Sequence, residues 1–302
     1  MISIKQNFFN LKEFSVSDFK NLTHLQLKFD NQQIGNQEAS NLGSLLQFCI
    51  NLKDLCITLK SNLIEDKGIS DLTFSFQLFE SLTTLVLQLN YNKIGSQGAS
   101  NLGINLSKIR NLNYLDINLR SNNINENAIK GLFQGLELCK NLSALVINLS
   151  YNKINPVGAA YLGKGLANIK NLIHSDIDLS YCNINQQGAS DFGFELGKCI
   201  NLKTLILDLS GGQNLISDTG TSCLCSGLSN CLNLTILKLD LRSNKINSKG
   251  ILDIGNKLKN ALHLSFLQVV LINNPIHNDE KRVFSKKILK FLRLVKKQIK
   301  FY

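Results

Sequence analysis

Histidine and cysteine, the residues that most often perform catalysis or bind metals, are scattered along this 302-residue chain. Only four histidines occur, and they are spread over the whole sequence. No two cysteines have the C-x-x-C spacing of a zinc site, and no histidine lies at a matching offset. The motifs G-x-x-x-x-G-K-[ST], G-x-S-x-G and H-E-x-x-H are also absent. The sequence therefore predicts a protein that is not an enzyme, with no catalytic residues, no metal and no cofactor.

The cysteines themselves have the pattern of core residues. Four of the eight share one position of a repeated unit, namely Cys49, Cys139, Cys199 and Cys231. Other copies have Phe79, Ile109 or Ala261 there, and a free cysteine behaves as a small hydrophobic residue. Free thiols favour an intracellular location. Because the N-terminus lacks the features of a signal peptide and no run of about 20 apolar residues occurs, we expect a cytoplasmic protein.

The elements that position the polar residues are set by a repeat. An Asn-Leu pair or a close variant begins at positions 21, 51, 81, 111, 141, 171 and 201 and, after two additional residues near Gly211, at 233 and 263. A fixed period of about 20 to 50 residues is typical of a solenoid. The sequence predicts nine copies over residues 21–277. Residues 1–20, with Phe8, Leu11, Val16 and Phe19 at helical spacing, are predicted as a capping helix, and residues 278–302 as a basic C-terminal capping helix.

Each copy has the pattern of one strand followed by one helix. In the third copy, Leu85, Leu87 and Leu89 alternate with Val86, Gln88 and Asn90, which indicates a half-buried strand. After a glycine-containing turn, apolar residues recur at steps of three and four, as in an amphipathic helix. In the fifth copy, Asn155 and Pro156 are suited to the start of that helix.

This pattern, L-x-x-L-x-L-x-L-x-x-N-x-I-x-x-x-G-x-x-x-L-x-x-x-L, closely resembles the leucine-rich repeat family. The nearest subclass is that of ribonuclease inhibitor and the Ran GTPase-activating proteins. The resemblance implies an α/β fold, a right-handed horseshoe-shaped solenoid with a parallel inner sheet and outer helices. Since strands lie about 4.8 Å apart and helices about 8–10 Å apart, such an array curves.

One asparagine position recurs in successive copies. Its members are Asn62, Asn92, Asn122, Asn152, Asn214, Asn244 and Asn274. By the resemblance, each side chain turns inward and its amide bonds backbone groups of adjacent coils. The sixth copy has Cys182 at this position, and the first has Gln32.

The inner strand face carries the candidate partner-binding residues. Acidic side chains gather in copies six to eight, at Asp176, Asp178, Asp208 and Asp240. Two arginines, Arg120 and Arg242, lie in the column beside the asparagines, and Tyr91, Tyr151 and Tyr181 follow the strands. Tyrosine and charged residues at exposed positions are typical of protein-docking surfaces. A solvated polar sheet face that binds nothing is the alternative for any one of these residues.

The sixth copy departs from the pattern at its strand. Ser175 takes a position that other copies fill with residues such as Leu145 and Leu205. This substitution indicates either drift in a tolerant array or a site where something approaches closely.

The net charge of +11 first suggests a nucleic-acid or acidic-membrane partner. Nine of the 33 positive residues lie in residues 281–302, which contain no acidic residue, so the remaining chain has 24 positive against 22 negative residues. The charge excess therefore belongs to the C-terminal segment.

The resulting hypothesis is a non-catalytic scaffold or adaptor that binds one or more partner proteins on its concave face. The partner could have a basic surface, and the chain could be a subunit of a larger assembly. The alternatives are a regulator of a small GTPase, an enzyme inhibitor of the ribonuclease-inhibitor type, and tethering to an anionic membrane or nucleic acid through the basic C-terminal segment.

Overall fold

The computed structural model describes residues 5–15, 19, 21–279, 281–284 and 296–301. The chain divides into two compact units, Met1–Asn148 and Leu149–Tyr302, called unit 1 and unit 2 below. Both are built from short strands that alternate with helices along the chain.

In unit 1 the strands are β1 Lys5–Phe8, β2 His24–Lys28, β3 Asp54–Thr58, β4 Thr84–Gln88, β5 Tyr114–Asn118 and β6 Ala144–Asn148. The helices are α1 Leu11–Ser15, α2 Asn36–Leu46, α3 Asp66–Phe74, α4 Ser96–Leu106 and α5 Glu126–Leu136, with a 3₁₀ turn at Ser75–Leu78. Each strand pairs in parallel with the next one in sequence.

In unit 2 the strands are β7 His174–Asp178, β8 Thr204–Asp208, β9 Ile236–Asp240, β10 Phe266–Val270 and β11 Lys296–Lys300. The helices are α6 Asn155–Asn168, α7 Asn185–Leu196, α8 Ser217–Leu228 and α9 Ser248–Leu258. Residues 278–279 and 281–284 are also helical. Here too, each strand pairs in parallel with its neighbour in sequence.

The strand register equals the sequence repeat. Leu25 pairs with Leu55, and Leu55 pairs with Leu85, each 30 residues further on. The register absorbs the two additional residues, because Leu205 pairs with Leu237. The predicted α/β repeat of parallel strands and helices is therefore confirmed.

The core lies between the strands and the helices of each unit. The second and fourth residues of β2–β10 are buried, and the other positions are partly exposed. The other side, called the strand face below, comprises the first, third and fifth residues of each strand and the residue two positions beyond it, which is exposed at Arg242 but buried at Ser150, Ser180 and Ser210. Neighbouring helices approach closely at glycines: a Cβ atom on Gly135 in α5 would overlap the backbone of Gly103 in α4.

At both termini the structure has a strand in the segment that was predicted to be a capping helix. At the N-terminus, Lys5–Phe8 is a strand and only Leu11–Ser15 is helical. Phe14 is buried in a cluster of rings instead of a helix stripe, with its centroid 5.2 Å from that of Phe8 and 5.0 Å from that of Phe19, while Leu11 and Phe19 remain partly exposed. Val16 lies outside the described residues.

At the C-terminus, residues 296–300 are the strand β11 and not the end of a helix. This strand pairs with β10, and the Leu271 N–H donates to the carbonyl oxygen of Lys300 at 2.8 Å. Pairing in this way supplies partners to backbone groups that β10 would otherwise leave unpaired at the edge of the sheet. Phe284 is buried against Phe301. Residues 285–295 lie outside the described part of the chain.

No helix among the described residues is both long and apolar enough to cross a membrane.

Candidate functional site

The strand face is positioned by the asparagines that follow each strand. In unit 1 the Asn92 amide nitrogen donates to the carbonyl oxygens of Leu59 (2.9 Å) and Leu89 (3.0 Å), and its oxygen accepts the Ile64 N–H at 3.0 Å. Asn62 and Asn122 make the same kind of bonds one coil before and one coil after. Each side chain thus links two adjacent coils and satisfies backbone groups that the core would otherwise leave unpaired.

Unit 2 repeats this ladder, with a cysteine at one of its positions. The Asn214 amide nitrogen donates to the carbonyl oxygens of Leu179 (2.9 Å) and Leu209 (3.0 Å), and its oxygen accepts the Cys182 N–H at 2.9 Å. Asn244 and Asn274 bond in the same way, and the Asn152 side chain donates to the carbonyl oxygen of Leu149. The Cys182 thiol lies 3.2 Å from the Leu149 oxygen, which replaces one asparagine bond. At the first ladder position, in unit 1, Gln32 donates to the carbonyl oxygen of Phe9 in the N-terminal segment.

The three tyrosines occupy the turn where the chain leaves the strand. Tyr91, Tyr151 and Tyr181 have φ angles of 58°, 56° and 57°, in the left-handed region. This position has positive φ in copies from Asn31 to Asn273, so the repeat requires the conformation and the tyrosines accept it. The turn points their rings outward, and Tyr91 and Tyr151 remain 43% and 45% exposed.

In unit 2 the acidic residues form a column across three strands. Asp178 is in register with Asp208, and Asp208 with Asp240. Each carboxylate accepts the backbone N–H two residues ahead, from Ser180 at 2.9 Å and from Ser210 at 2.8 Å in the first two cases. The acidic side chains therefore also shape the turns that follow the strands.

Partial burial disfavours the charged form of Asp208 in this column and of Asp176 beside it. Desolvation raises the pKa of Asp208, and hydrogen bonds from Ser210 oppose the shift. Desolvation also raises the pKa of Asp176, with Lys238 opposing and Asp178 reinforcing the shift. Carboxylates that are costly to ionise favour a cation beside them.

Arg242 is held by two of the acidic residues. Its Nε lies 2.8 Å from the Asp240 carboxylate, and its guanidinium also lies 3.8 Å from Asp208. The Asp240 contact is the main cause of a raised pKa of Arg242. These three residues, called the Arg242 clamp below, border a groove of about 390 Å³ that is also lined by Lys238 and Lys300.

The Tyr151 and Tyr181 rings stack at the end of the acidic column. Their centroids are 4.4 Å apart and their planes are inclined by 22°. Gly211, with φ of 108°, lies against the Tyr181 ring, and a Cβ atom there would be 2.9 Å from the ring. Glycine at this position leaves room for the tyrosine pair.

In unit 1 the equivalent arginine has a different neighbour. The Arg120 Nε donates to the Tyr91 hydroxyl at 3.1 Å, and the guanidinium carbon lies 5.8 Å from the ring centroid. The Lys60 ammonium lies 6.0 Å from the same centroid. The hydrogen bond from Arg120 lowers the pKa of Tyr91, and the charges of Arg120 and Lys60 add to the effect. Lys60, Tyr91 and Arg120 are called the Arg120 cluster below.

The structure thus separates the predicted binding residues into two groups. Asp176, Asp178, Asp208, Asp240, Arg242, Tyr151 and Tyr181 lie on unit 2, whereas Tyr91 and Arg120 lie on unit 1. Three further cations, Lys60, Lys238 and Lys300, were not among the predicted site residues. The first two stand in the same sequence columns as the predicted residues, whereas Lys300 falls in the segment that was predicted as a helix.

Six of the eight cysteines and Ser175 are buried, whereas Cys56 is partly exposed and Cys223 is exposed. Burial raises the pKa of the Cys49, Cys139, Cys199 and Cys231 thiols to about 12. Among the described residues, no group of histidine, cysteine, aspartate and glutamate side chains is arranged to hold a metal ion. Ser175 is 3% exposed, and its Oγ has no hydrogen-bond partner within the described part of the chain.

A family model described as "Leucine Rich repeat" matches residues 81–103, 145–163 and 232–255. The chain is a leucine-rich repeat protein. The matched segments fall in the third, fifth and eighth copies, and the strand register extends the same pattern to the copies between them. Leucine-rich repeats generally mediate protein–protein interaction. The ribonuclease-inhibitor subclass stays a prediction.

Two solved structures can be aligned with this leucine-rich repeat protein. One is a Bacteroides fragilis protein, with 14% identity and a TM-score of 0.48 over 83% of this chain and 67% of that chain. The other is in the yeast Rad7 and Elc1 complex, with 14% identity and a TM-score of 0.36 over 91% of this chain and 74% of that chain. Both TM-scores are below 0.5, so neither likeness bears on function. No curated protein sequence matches the chain.

Proposed function

We propose that this leucine-rich repeat protein is a non-catalytic interaction scaffold that docks a partner protein on its strand face. The acidic column of unit 2, consisting of Asp178, Asp208 and Asp240, receives a basic region of that partner. A cytoplasmic location fits the proposal, because free cysteines stay reduced there.

The observation that carries the proposal is the in-register row of carboxylates on β7, β8 and β9. Parallel strands lie about 4.8 Å apart, so the row places three carboxylates close together, within reach of the long, flexible side chains of a lysine-rich peptide. Burial raises the pKa of Asp208 and Asp176, and a partner's cation would offset that cost.

The stacked tyrosines supply an apolar anchor beside the charges. Tyr151 and Tyr181 meet at 4.4 Å, which fixes both rings before a partner arrives. Rigid aromatic side chains lose little conformational entropy on binding and are enriched among the residues that dominate binding energy. Charge would then guide association, and the tyrosine pair would contribute contact area.

The test removes the charge of the column and keeps its turns. In the Asp178→Asn/Asp208→Asn/Asp240→Asn triple variant, each amide oxygen can still accept the backbone N–H two residues ahead. Asn118 of this chain already does so, accepting the Arg120 N–H at 3.1 Å. Fluorescence polarisation with a labelled octalysine peptide should show binding to the full chain that is at least about tenfold weaker in the triple variant. Equal affinity for the variant would remove the acidic column from the proposal.

A second measurement locates the natural partner. Crosslinking mass spectrometry after affinity capture should place crosslinks on residues of the strand face. A small-GTPase regulator or an inhibitor of the ribonuclease-inhibitor type would use the same face. Tethering to a membrane or nucleic acid through residues 281–300 would place crosslinks only there, and that result would contradict the proposal.

A further inference from the structure

We infer that the groove beside the Arg242 clamp in unit 2 binds an extended segment of a partner protein in which an apolar side chain lies between a basic one and an acidic one. This inference rests on the proposed function and extends it, because the basic side chain is the one that the acidic column receives. The groove, called the clamp groove below, adds two contacts: an apolar floor at Val270 and Ile272 and a positive end at Lys300.

The first support is the order of side chains along the strand face from β8 to β11. Asp208 is in register with Asp240, which is in register with Val270 on β10. Val270 is in register with Lys300 on β11, and all four residues line the clamp groove. The charge therefore changes from negative to neutral to positive across neighbouring strands. A partner segment with the opposite order of charges complements it.

The second support is the apolar floor of the groove. Val270 is the fifth residue of β10 and Ile272 follows it by two positions, so both belong to the strand face, and both are partly exposed. In the copies that contain β2–β9, these two positions hold only polar or charged residues, such as Asp240 and Arg242. Ligand-binding clefts are mainly apolar and have a few polar groups that fix orientation. A leucine-sized side chain that covers this floor would gain free energy from burial.

The third support is the spacing of the two charged ends. Asp208 and Lys300 are three strands apart, which corresponds to about 14 Å between parallel strands. In an extended peptide the first and fifth residues project to the same side and lie about 13 Å apart, with the third residue between them. A segment with basic, apolar and acidic residues at alternate positions therefore spans the groove with its apolar side chain over the floor.

At the negative end, Arg242 engages one carboxylate more closely than the other. Its Nε lies 2.8 Å from the Asp240 carboxylate, whereas the guanidinium lies 3.8 Å from Asp208, beyond hydrogen-bond distance. Desolvation raises the pKa of Asp208, so a further cation beside it would stabilise its charged form. Lys238 also lines the groove, and its charge opposes the raised pKa of Asp176. We therefore assign the partner's basic side chain to Asp208.

At the positive end, the charge does not depend on one residue. Lys300 is exposed and lines the groove, and β11 also contains Lys296 and Lys297 in its sequence. Residues 281–302 contain nine positive residues and no acidic one. An acidic side chain of the partner is therefore complemented where the segment reaches β11.

Unit 1 has a different set of side chains at the equivalent positions. The fifth residues of β2–β6 are Lys28, Thr58, Gln88, Asn118 and Asn148. Beside the Arg120 cluster, these positions therefore supply neither a carboxylate nor an apolar floor. We expect the segment to bind to unit 2.

The experiment measures binding of two fluorescein-labelled peptides to the full chain by fluorescence polarisation at low salt. Both peptides are serine-rich and have the same composition. In the test peptide lysine, leucine and glutamate stand at alternate positions in that order, whereas in the control peptide the order is leucine, lysine, glutamate. The test peptide should bind about tenfold more tightly, because its leucine covers the floor while both of its charges are matched.

Variants of the groove locate the site. Val270→Asn/Ile272→Ser removes the apolar floor and introduces asparagine and serine, which the chain already carries at these positions in other copies. This variant should bind the test peptide about tenfold more weakly and octalysine within about twofold of the parent chain. Lys300→Gln should weaken binding of the test peptide about threefold. The control is Lys249→Gln, which removes the same charge from an exposed position in α9 and should change binding less than about twofold.

Other results would overturn the inference. Equal binding of the test and control peptides would show that charge alone decides. Unchanged binding of the test peptide by Val270→Asn/Ile272→Ser would exclude the apolar floor, and equal weakening by Lys300→Gln and Lys249→Gln would show a general charge effect. In each of these cases, weaker octalysine binding by the triple aspartate variant would still support the proposed function, so the two failures can be distinguished. Circular dichroism of each variant verifies that the fold is unchanged.

Discussion

Arg120 in unit 1 and Arg242 in unit 2 occupy the same position of the repeat, two residues after a strand, yet their side chains are held in different ways. Arg242 is held by the Asp240 carboxylate and approaches Asp208, whereas Arg120 donates to the hydroxyl of Tyr91. In the first case the protein itself balances the positive charge, and in the second the orienting group is neutral.

The difference shows which choices the repeat leaves open. The asparagine ladder and the left-handed turn recur in both units, so the backbone that carries each arginine is the same. The residues beside each arginine, in the same strand and the preceding coil, differ: they are asparagine and glutamine in unit 1 and two aspartates in unit 2. A repeat protein can thus reverse the charge of its surface without changing its core.

The largest expected effect tests the shared backbone. Asn92→Ala in unit 1 and Asn214→Ala in unit 2 each leave several buried backbone groups without partners. We expect each variant to lose about 3 kcal/mol of unfolding free energy, since an unsatisfied buried group costs about 1–3 kcal/mol. Denaturant-induced unfolding followed by circular dichroism measures the loss.

The control for both variants is Asn123→Ala. Its amide is exposed and makes one long bond of 3.4 Å to Lys93, so the loss should be below about 0.5 kcal/mol. A large loss in one unit and a small loss in the other would contradict the view that both units share one scaffold.

A smaller effect is expected from Asp208, which lies near Arg242 in unit 2. The pKa of Asp208 is raised in the folded protein, so ionisation favours unfolding, and stability is lost as the pH rises through the folded pKa. Asp208→Asn should therefore be more stable than the parent chain at pH 7 by about 0.5 kcal/mol, after allowance for solvent screening. The gain should vanish below about pH 4, where the carboxyl is protonated in both states.

The matched control is Gln88→Asn, the equivalent position in unit 1, whose effect should not vary with pH. Thermal unfolding at several pH values measures both variants. If Asp208→Asn is less stable than the parent chain at pH 7, the stabilisation from the contact between Asp208 and Arg242 exceeds the cost of desolvating the carboxylate. Asp208 would then serve to stabilise the fold instead of to bind a partner.

The smallest expected effect is on the pKa of Tyr91, beside Arg120 in unit 1. The hydrogen bond from Arg120 lowers the pKa of the Tyr91 phenol, so Arg120→Gln should raise that pKa back toward its ordinary value. Ultraviolet titration, taken as a difference against Tyr91→Phe, isolates this tyrosine. Arg242→Gln should leave the titration unchanged, and an equal shift in both variants would remove the distinction between the two arginines.

The sequence predicted the interior better than the surface. The positions of β2–β10, the two-residue slip and the family follow from leucine and asparagine periods, because packing and ladder bonds repeat in every copy. The buried Ser175 also stood out, since it breaks an apolar column. The predictions of a capping helix at each terminus were wrong. Phe8 and Ile299 lie at helical spacing in the sequence, but in the structure backbone pairing with the neighbouring strand makes both segments strands.

The side-chain partners on the strand face could not be read from the columns. Arg120 and Arg242 occupy the same position of the repeat, and only the side-chain positions show that Arg120 contacts Tyr91 and Arg242 contacts Asp240. Lys60 stands in the same sequence column as Arg120, but only its distance to the Tyr91 ring identifies it as a candidate binding residue. Such contacts depend on side-chain rotamers and on the residues of neighbouring coils, and both vary from one copy to the next.

The two additional residues near Gly211 make one copy longer without changing the register of the strands on either side. Asn214 bonds to the Leu209 carbonyl five residues back, whereas Asn92 bonds to Leu89 three residues back, and both complete the ladder. A Cβ atom on Gly212 would meet only the Ser243 oxygen, at 4.0 Å. This corner can therefore be lengthened without displacing the strands, which makes it a suitable place to graft a recognition loop beside the acidic column.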